Sequence, residues 1–278
     1  MTSAINNIFC SLSSSIDTKI YSILDDLIFL NTDICANSTI RNILGSNESG
    51  GIILICNSLI SGFLIYYGIS LLFSYLTFSQ IQRPSQFIFK LILCLIALNS
   101  SQLICYCIIF IISSISLAIR NVGEALFNTN ICFATLLESL NIVNNSTGFN
   151  LFTFDGLVKA LISFGFINIT LSYSLRYIMI KVLILICPFA ILSLSIDKFS
   201  WIFKSWIKLF LSSLFLQVLV SLILLITFSL NLEESVFSQL IYIGSIYALI
   251  KANTFIRDFM GGLSTDVNIG ISNLKSNS

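Results

Sequence analysis

Long runs without a single charge, separated by short polar segments, set the pattern of this chain. Residues 49 to 82 carry no charge, and Gly51 to Leu76 within them is long enough to cross a bilayer. Leu91 to Ile119 adds 29 uncharged residues, roughly 43 Å of helix against a hydrocarbon core of about 30 Å. Leu209 to Leu232 contributes 24 more and Ser235 to Ile250 another 16. Backbone amides inside lipid must bond within their own segment, so each run predicts a helix. The stretch from Leu157 to Ile196 is interrupted by Lys159, Arg176 and Lys181. Forty residues of continuous helix would be about 60 Å, too long for one crossing. The expectation is one long helix with Arg176 and Lys181 at its inner end, then a piece ending near Pro188 that returns along or into the membrane.

This reading gives an all-α polytopic transmembrane protein with about five spans, near 52–76, 87–118, 157–183, 207–231 and 236–256. They make 51–260 a membrane domain. Residues 1–50 form an external segment in which Ile16, Ile20, Ile23, Leu24 and Leu27 follow helical spacing, with Asp17, Lys19, Asp25 and Asp26 on other faces. It lacks the basic start of a signal peptide, and packing on the protein's own surface is favoured over binding a partner. The segment 121–156, rich in Asn, reads as an irregular outer cap, and 261–278 as a flexible cytoplasmic tail.

Composition strengthens the membrane reading. Hydrophobic residues make up 56% of 278 positions and charged residues 10%, with a mean hydropathy of +0.96. A soluble domain carries about 25% charged residues, so this chain lacks the polar surface to cover a core. The usage of Ile, Leu, Phe, Ser and Asn fits an AT-rich genome, that of a low-GC bacterium, an organelle or an intracellular symbiont. The net charge of +1 hides an asymmetry. With the segment around Arg83 placed inside, ten basic residues fall inside and Lys19, Arg41, Arg120 and Lys159 outside. Basic residues collect on the cytoplasmic side, so the N-terminus is expected outside and the C-terminus inside. A further crossing at 182–196 would put Lys198, Lys204 and Lys208 outside and is rejected.

The chain has no histidine, which removes the commonest general base and metal ligand together. Its acids all fall in loops, so an intramembrane enzyme is not expected, nor any metal or cofactor. Five of the eight cysteines lie in apolar runs, where a thiol packs as a small hydrophobe. Cys105 and Cys107 point to different sides of a helix and cannot clip a metal. A disulfide among Cys10, Cys35 and Cys132 is the one exception that an oxidising compartment would allow.

Asn99, Ser100, Ser101 and Gln102 lie together near the centre of the second span and cover every face of a helix. Hydrogen bonding between helices is the favoured reading, and a water-filled path the sharper one. Gln217 and Gln239, each alone in an apolar run, read as helix-contact residues. Lys90 and Lys159 can snorkel from span ends. Arg176 and Lys181 read as inner-interface anchors, joined by Trp201, Lys204, Trp206 and Lys208. In that segment Lys204 and Lys208 share one helical face and Phe199, Ile202 and Trp206 the other. The two tryptophans would mark the inner headgroup level.

An apolar helix with Pro188 near its end, then Asp197-Lys198, Phe203 and Trp206 opening the next span, resembles the central region of TrbL/VirB-type polytopic subunits of type IV secretion and conjugation systems. The stretch from Ile250 to Gly261-Gly262 is similar to the small-residue end of that family's membrane domain. The likeness covers about 160 to 265, and this chain lacks the long soluble C-terminal extension of many members. It implies a non-enzymatic channel or scaffold subunit in the bacterial cytoplasmic membrane, working with other secretion subunits and separate ATPases. It is compatible with homo-oligomers, touches translocated DNA or protein only indirectly, and implies no small-molecule substrate. The rival expectation is a small-solute permease that binds its substrate at Asn99 to Gln102. No internal repeat supports that rival.

Overall fold

The computed structural model describes residues 23–45, 50–77, 84–133, 135–136, 154–196, 199–229 and 236–260. Among them all regular structure is helical. Residues 23–28 are helical, followed by two short helices, α1 (Asp33–Ala36) and α2 (Ser38–Leu44). Then come α3 (Ile52–Thr77), α4 (Pro84–Asn99), α5 (Ser101–Phe127), α6 (Phe154–Leu192), α7 (Ser200–Ser229) and α8 (Val236–Met260). A 3-10 turn, Ser193–Ser195, follows α6. Among the described residues four helical stretches are long and apolar enough to cross a membrane: Ile52–Leu76, Ser101–Phe127, Phe164–Ser195 and Ser200–Ser229. Pro84–Asn99 and Ile243–Ile256 are shorter apolar helices. The chain is an all-α polytopic membrane protein.

Two expectations about the helices change. The span expected over 87–118 is two helices meeting at Ser100. Together they cover 44 residues, about 66 Å, more than one crossing can use. Asn99 helps to explain the break: its Nδ2 donates 2.9 Å back to the Leu95 carbonyl of its own helix. Such back-bonding competes with the backbone ladder and bends helices. The ladder is still held on both sides, Ser100 N–H donating to Ile96 O and Ile104 N–H to Ser100 O, each at 3.0 Å. The second change concerns Pro188. The chain does not turn back before it, because α6 runs 39 residues through Pro188 to Leu192. A proline costs a helix one backbone bond without ending it when packing holds both sides, and Pro188 is buried.

The chain divides into two compact units. Unit 1 holds residues up to Leu30, Ile112–Ile178 and Ser212 onward. Its core joins Leu24 and Ile28 to Ile131 and Phe133, to the α6 stripe Phe166, Ile169 and Tyr173, and to Leu216, Val220 and Leu224 of α7. Ile246, Leu249 and Ile256 of α8 complete it. The stripe positions fall three or four residues apart, so each helix contributes one face. The described end of the N-terminal segment packs into this core on the chain itself, through Leu24 and Ile28, while Ile23 stays exposed.

Unit 2 holds Asn31–Ile111 and Met179–Leu211. Here α2 starts on Asn37, whose side chain accepts from Thr39 N–H at 3.0 Å, and ends on Gly45 at φ 79°. The Gly45 N–H bonds back to Arg41 O and Asn42 O, the left-handed cap that glycine reaches without strain. A Cβ on Gly51 would stand 2.5 Å from Gly45 N, so two glycines let the backbone fold tightly into α3. Phe87 stacks on Tyr67 with ring centroids 3.8 Å apart, joining α4 to α3. Most of α3 faces outward: Leu64, Ile65, Leu72, Phe73, Tyr75 and Leu76 are all more than half exposed. Such an apolar face suits lipid.

Candidate functional site

Two polar clusters lie within apolar helices, one in each unit. In unit 2 the structure separates the four residues from Asn99 to Gln102. Asn99 Oδ1 accepts from Asn57 Nδ2 of α3 at 3.2 Å. Gln102 Nε2 donates 3.0 Å to the Cys35 carbonyl in α1. Ser101 is fully buried with its hydroxyl unbonded, and Ser100 is half-buried in the turn. The four therefore serve different neighbours instead of lining one surface. Asn57 was not singled out by sequence reasoning, since a lone asparagine in an apolar run gives no local signal. Its own Oδ1 remains without a partner.

The second cluster is charged. Arg176, on α6, is only 1% exposed. Its Nε donates 2.6 Å to Ser213 O of α7, and its Nη1 donates 3.2 Å to Ile28 O. One turn along α7 from Ser213, fully buried Gln217 accepts the Leu30 N–H on its Oε1 at 3.0 Å. The two side chains thus grip adjacent backbone groups where the chain leaves the 23–28 helix. Among the described residues, Arg176 Nη2 and Gln217 Nε2 have no hydrogen-bond partner. A buried donor left unmade costs about 1–3 kcal/mol, more when charged, so the pair is expensive as it stands. Nearby, Ser116 and Ser221 hydroxyls lie 2.7 Å apart, and Ser221 also bonds to Gln217 O at 2.9 Å.

Arg176, expected as an inner-interface anchor, is buried within the protein against α7 and Ile28. Along α6, Arg176 is 16 residues from Leu192, about 24 Å. Along α7, Ser213 is 13 residues from Ser200, about 20 Å. Arg120, which the charge count puts outside, stacks over the Phe29 ring at 4.3 Å. Arg176 touches the adjacent Ile28. Arg176 lies within the apolar stretch Phe164–Ser195, where a buried charge is costly.

Other expected anchors divide. Trp201, Lys204 and Lys208 are exposed and Lys181 is half-buried. Trp206 is 4% exposed, its indole N–H donating 2.9 Å to Leu183 O, and it stacks on Phe210 at 5.3 Å. Of the two tryptophans expected at the headgroup level, Trp206 is thus buried against the protein and Trp201 is exposed. Lys198 and the side chains of Gln239 and Lys159 lie outside the described residues, as do Cys10, Ile16, Ile20 and the segments 137–153 and 261–278. Cys35 and Cys132 are free thiols. Burial, with a smaller contribution from Cys105, pushes the Cys35 thiol up to about 12. Among the described residues no group of three His, Cys, Asp or Glu could hold a metal ion.

No known family model, curated protein or solved structure matches this chain.

Proposed function

We propose that the chain is a non-enzymatic channel or scaffold subunit of a type IV secretion or conjugative transfer machine in the bacterial cytoplasmic membrane. The observation that carries this reading is the packing of Phe203 and Trp206, two residues of the family resemblance, at the start of α7. Trp206 closes onto Leu183, five residues before Pro188, and Phe203 packs on Trp206 with centroids 5.7 Å apart. Ser195 and the Ile191 carbonyl bond Cys94 of α4 at 3.0 and 3.2 Å, bracing the same turn. An α6 end braced in this way suits a subunit that works by assembly. Separate ATPases supply the energy, and DNA or protein cargo meets this chain only indirectly.

The proposed orientation keeps the N-terminus outside and the C-terminus inside. Removing Arg176 from the inner set still leaves nine basic residues inside against four outside. A permease built on Asn99 to Gln102 is disfavoured, since Asn99 and Gln102 are engaged with Asn57 and Cys35. Deleting the gene from a cell carrying the mobile element tests the reading directly. DNA transfer should be abolished and restored by the wild-type copy; normal transfer without it ends the proposal.

A further inference from the structure

The stretch Met179–Leu211 of unit 2 carries four lysines, Lys181, Lys198, Lys204 and Lys208, against one acid, Asp197. Packing divides the start of α7 into two faces. Trp206 and Phe210 turn inward and are at most 4% exposed. Trp201, Lys204, Ser205 and Lys208 are exposed, and steps of three, four and seven residues put them on one face of the helix. Trp201 is 62% exposed. Lys204 and Lys208 stand one turn apart, about 6 Å, close enough for both ammonium groups to donate to one phosphate. The connection from Leu192 to Ser200 is short, so α7 runs back along α6, and the Trp206 indole bond to Leu183 O sets the register. Two residues further along α7 and two earlier along α6, Lys208 is level with Lys181. Seven and fourteen residues past Lys208, Phe215 and Leu222 continue the exposed face of α7 with apolar side chains.

We propose that Trp201, Lys204, Ser205 and Lys208 form a binding site for an anionic phospholipid, whose phosphodiester bridges the two lysines. The Ser205 hydroxyl lies between them on the same face and can donate to the same phosphate. The lysine stems follow the apolar helix while their ammonium groups reach the headgroup, with Trp201 at the boundary. An acyl chain then lies along Phe215 and Leu222. Selectivity follows from charge. A zwitterionic lipid brings its own ammonium group to a face that already holds Lys204 and Lys208, with Lys181 at the same level, whereas an anionic lipid meets only attraction. The site needs only that the chain spans a membrane, so it and the secretion reading can fail separately.

The test places the full chain in phosphatidylcholine nanodiscs that contain a graded fraction of either brominated phosphatidylglycerol or brominated phosphatidylcholine. Bromine quenches a tryptophan that it touches, and Trp201→Phe identifies the exposed tryptophan's share of the emission. Quenching of that share should give phosphatidylglycerol at least about a threefold higher affinity than phosphatidylcholine. Lys204→Gln combined with Lys208→Gln should bring the two affinities together. Arg41→Gln combined with Lys251→Gln removes two exposed charges elsewhere and should leave the preference unchanged. Equal affinities in the wild type overturn the proposal. So does a preference that survives the loss of Lys204 and Lys208, or one that falls equally when Arg41 and Lys251 are replaced.

Discussion

The two polar clusters face the same problem and solve it differently. Asn99 meets part of its hydrogen-bonding capacity within its own helix, at the Leu95 carbonyl, and the helix breaks next to it. Arg176 has too many donors for one helix turn to satisfy. It recruits a carbonyl from α7 and another from the exit of the 23–28 helix. Short polar side chains in an apolar helix thus change local geometry, whereas a long charged one determines tertiary packing. The cost differs too. A charge at the centre of a span costs about 2.5–3.5 kcal/mol on insertion scales, far more than an amide that can bond to its own turn.

The largest effect is therefore expected at Arg176. Arg176→Ala removes two bonds, leaves Ile28 O unpaired and opens a hole among Ser213, Ile28 and Tyr173. A loss of about 3–5 kcal/mol, as for breaking buried charged networks, should appear as a collapse in membrane-extracted yield. Arg176→Met fills the volume without the charge and should recover much of that yield. Equal yields for wild type and Arg176→Ala would show that the residue is an exposed anchor after all.

Gln217→Leu ranks next. It orphans the Leu30 N–H and should cost about 1–3 kcal/mol, read as a lower unfolding midpoint in detergent. The effect should be smaller in a chain already carrying Arg176→Met, because the two side chains hold the same two-residue stretch. Strict additivity would mean that the two grip points are independent.

The difference between the clusters also explains what could be read before the structure. Uncharged runs predict helices because lipid leaves no other backbone solution; α3 lies where the pattern puts it, while α7 begins at Ser200, seven residues before the expected start. Asn99 to Gln102 stood out as a polar patch, yet the pattern does not say that such a patch splits the helix. Arg176 and Trp206 misled for a shared reason. At helix ends, arginine and tryptophan ordinarily sit at headgroups, and only tertiary partners such as Ile28 and Leu183 reveal them as interior. The Arg120–Phe29 contact joins residues 91 apart and leaves no periodic trace.

At the Asn99 cluster, replacing both Asn99 and Gln102 with leucine should weaken the fold by at most roughly 1 kcal/mol per lost bond. In the secretion reading, transfer then falls only as far as complex recovery does. In the permease reading, solute uptake fails while the protein stays abundant and monodisperse. Uptake loss at undiminished abundance would move this cluster from packing to function.

The smallest effect is on stability and the sharpest on chemistry. Cys35 is buried, and Gln102 holds its carbonyl. With the thiol pushed up to about 12, its thiolate fraction at pH 8 is on the order of one in ten thousand, against about one in ten for a thiol at 9. Maleimide should therefore leave Cys35 unmodified in the folded protein at pH 8. Its rate should keep rising about tenfold per pH unit through pH 9 to 11, where an ordinary thiol has levelled off. Gln102→Leu releases the carbonyl that ties α1 down, so labelling should accelerate while the unfolding midpoint barely moves. Mass spectrometry of the Cys35 peptide after timed labelling reads both variants. Equal labelling rates would mean that α1 is held by Ile34 and Cys35 packing alone, and that the Gln102 bond contributes nothing to its docking.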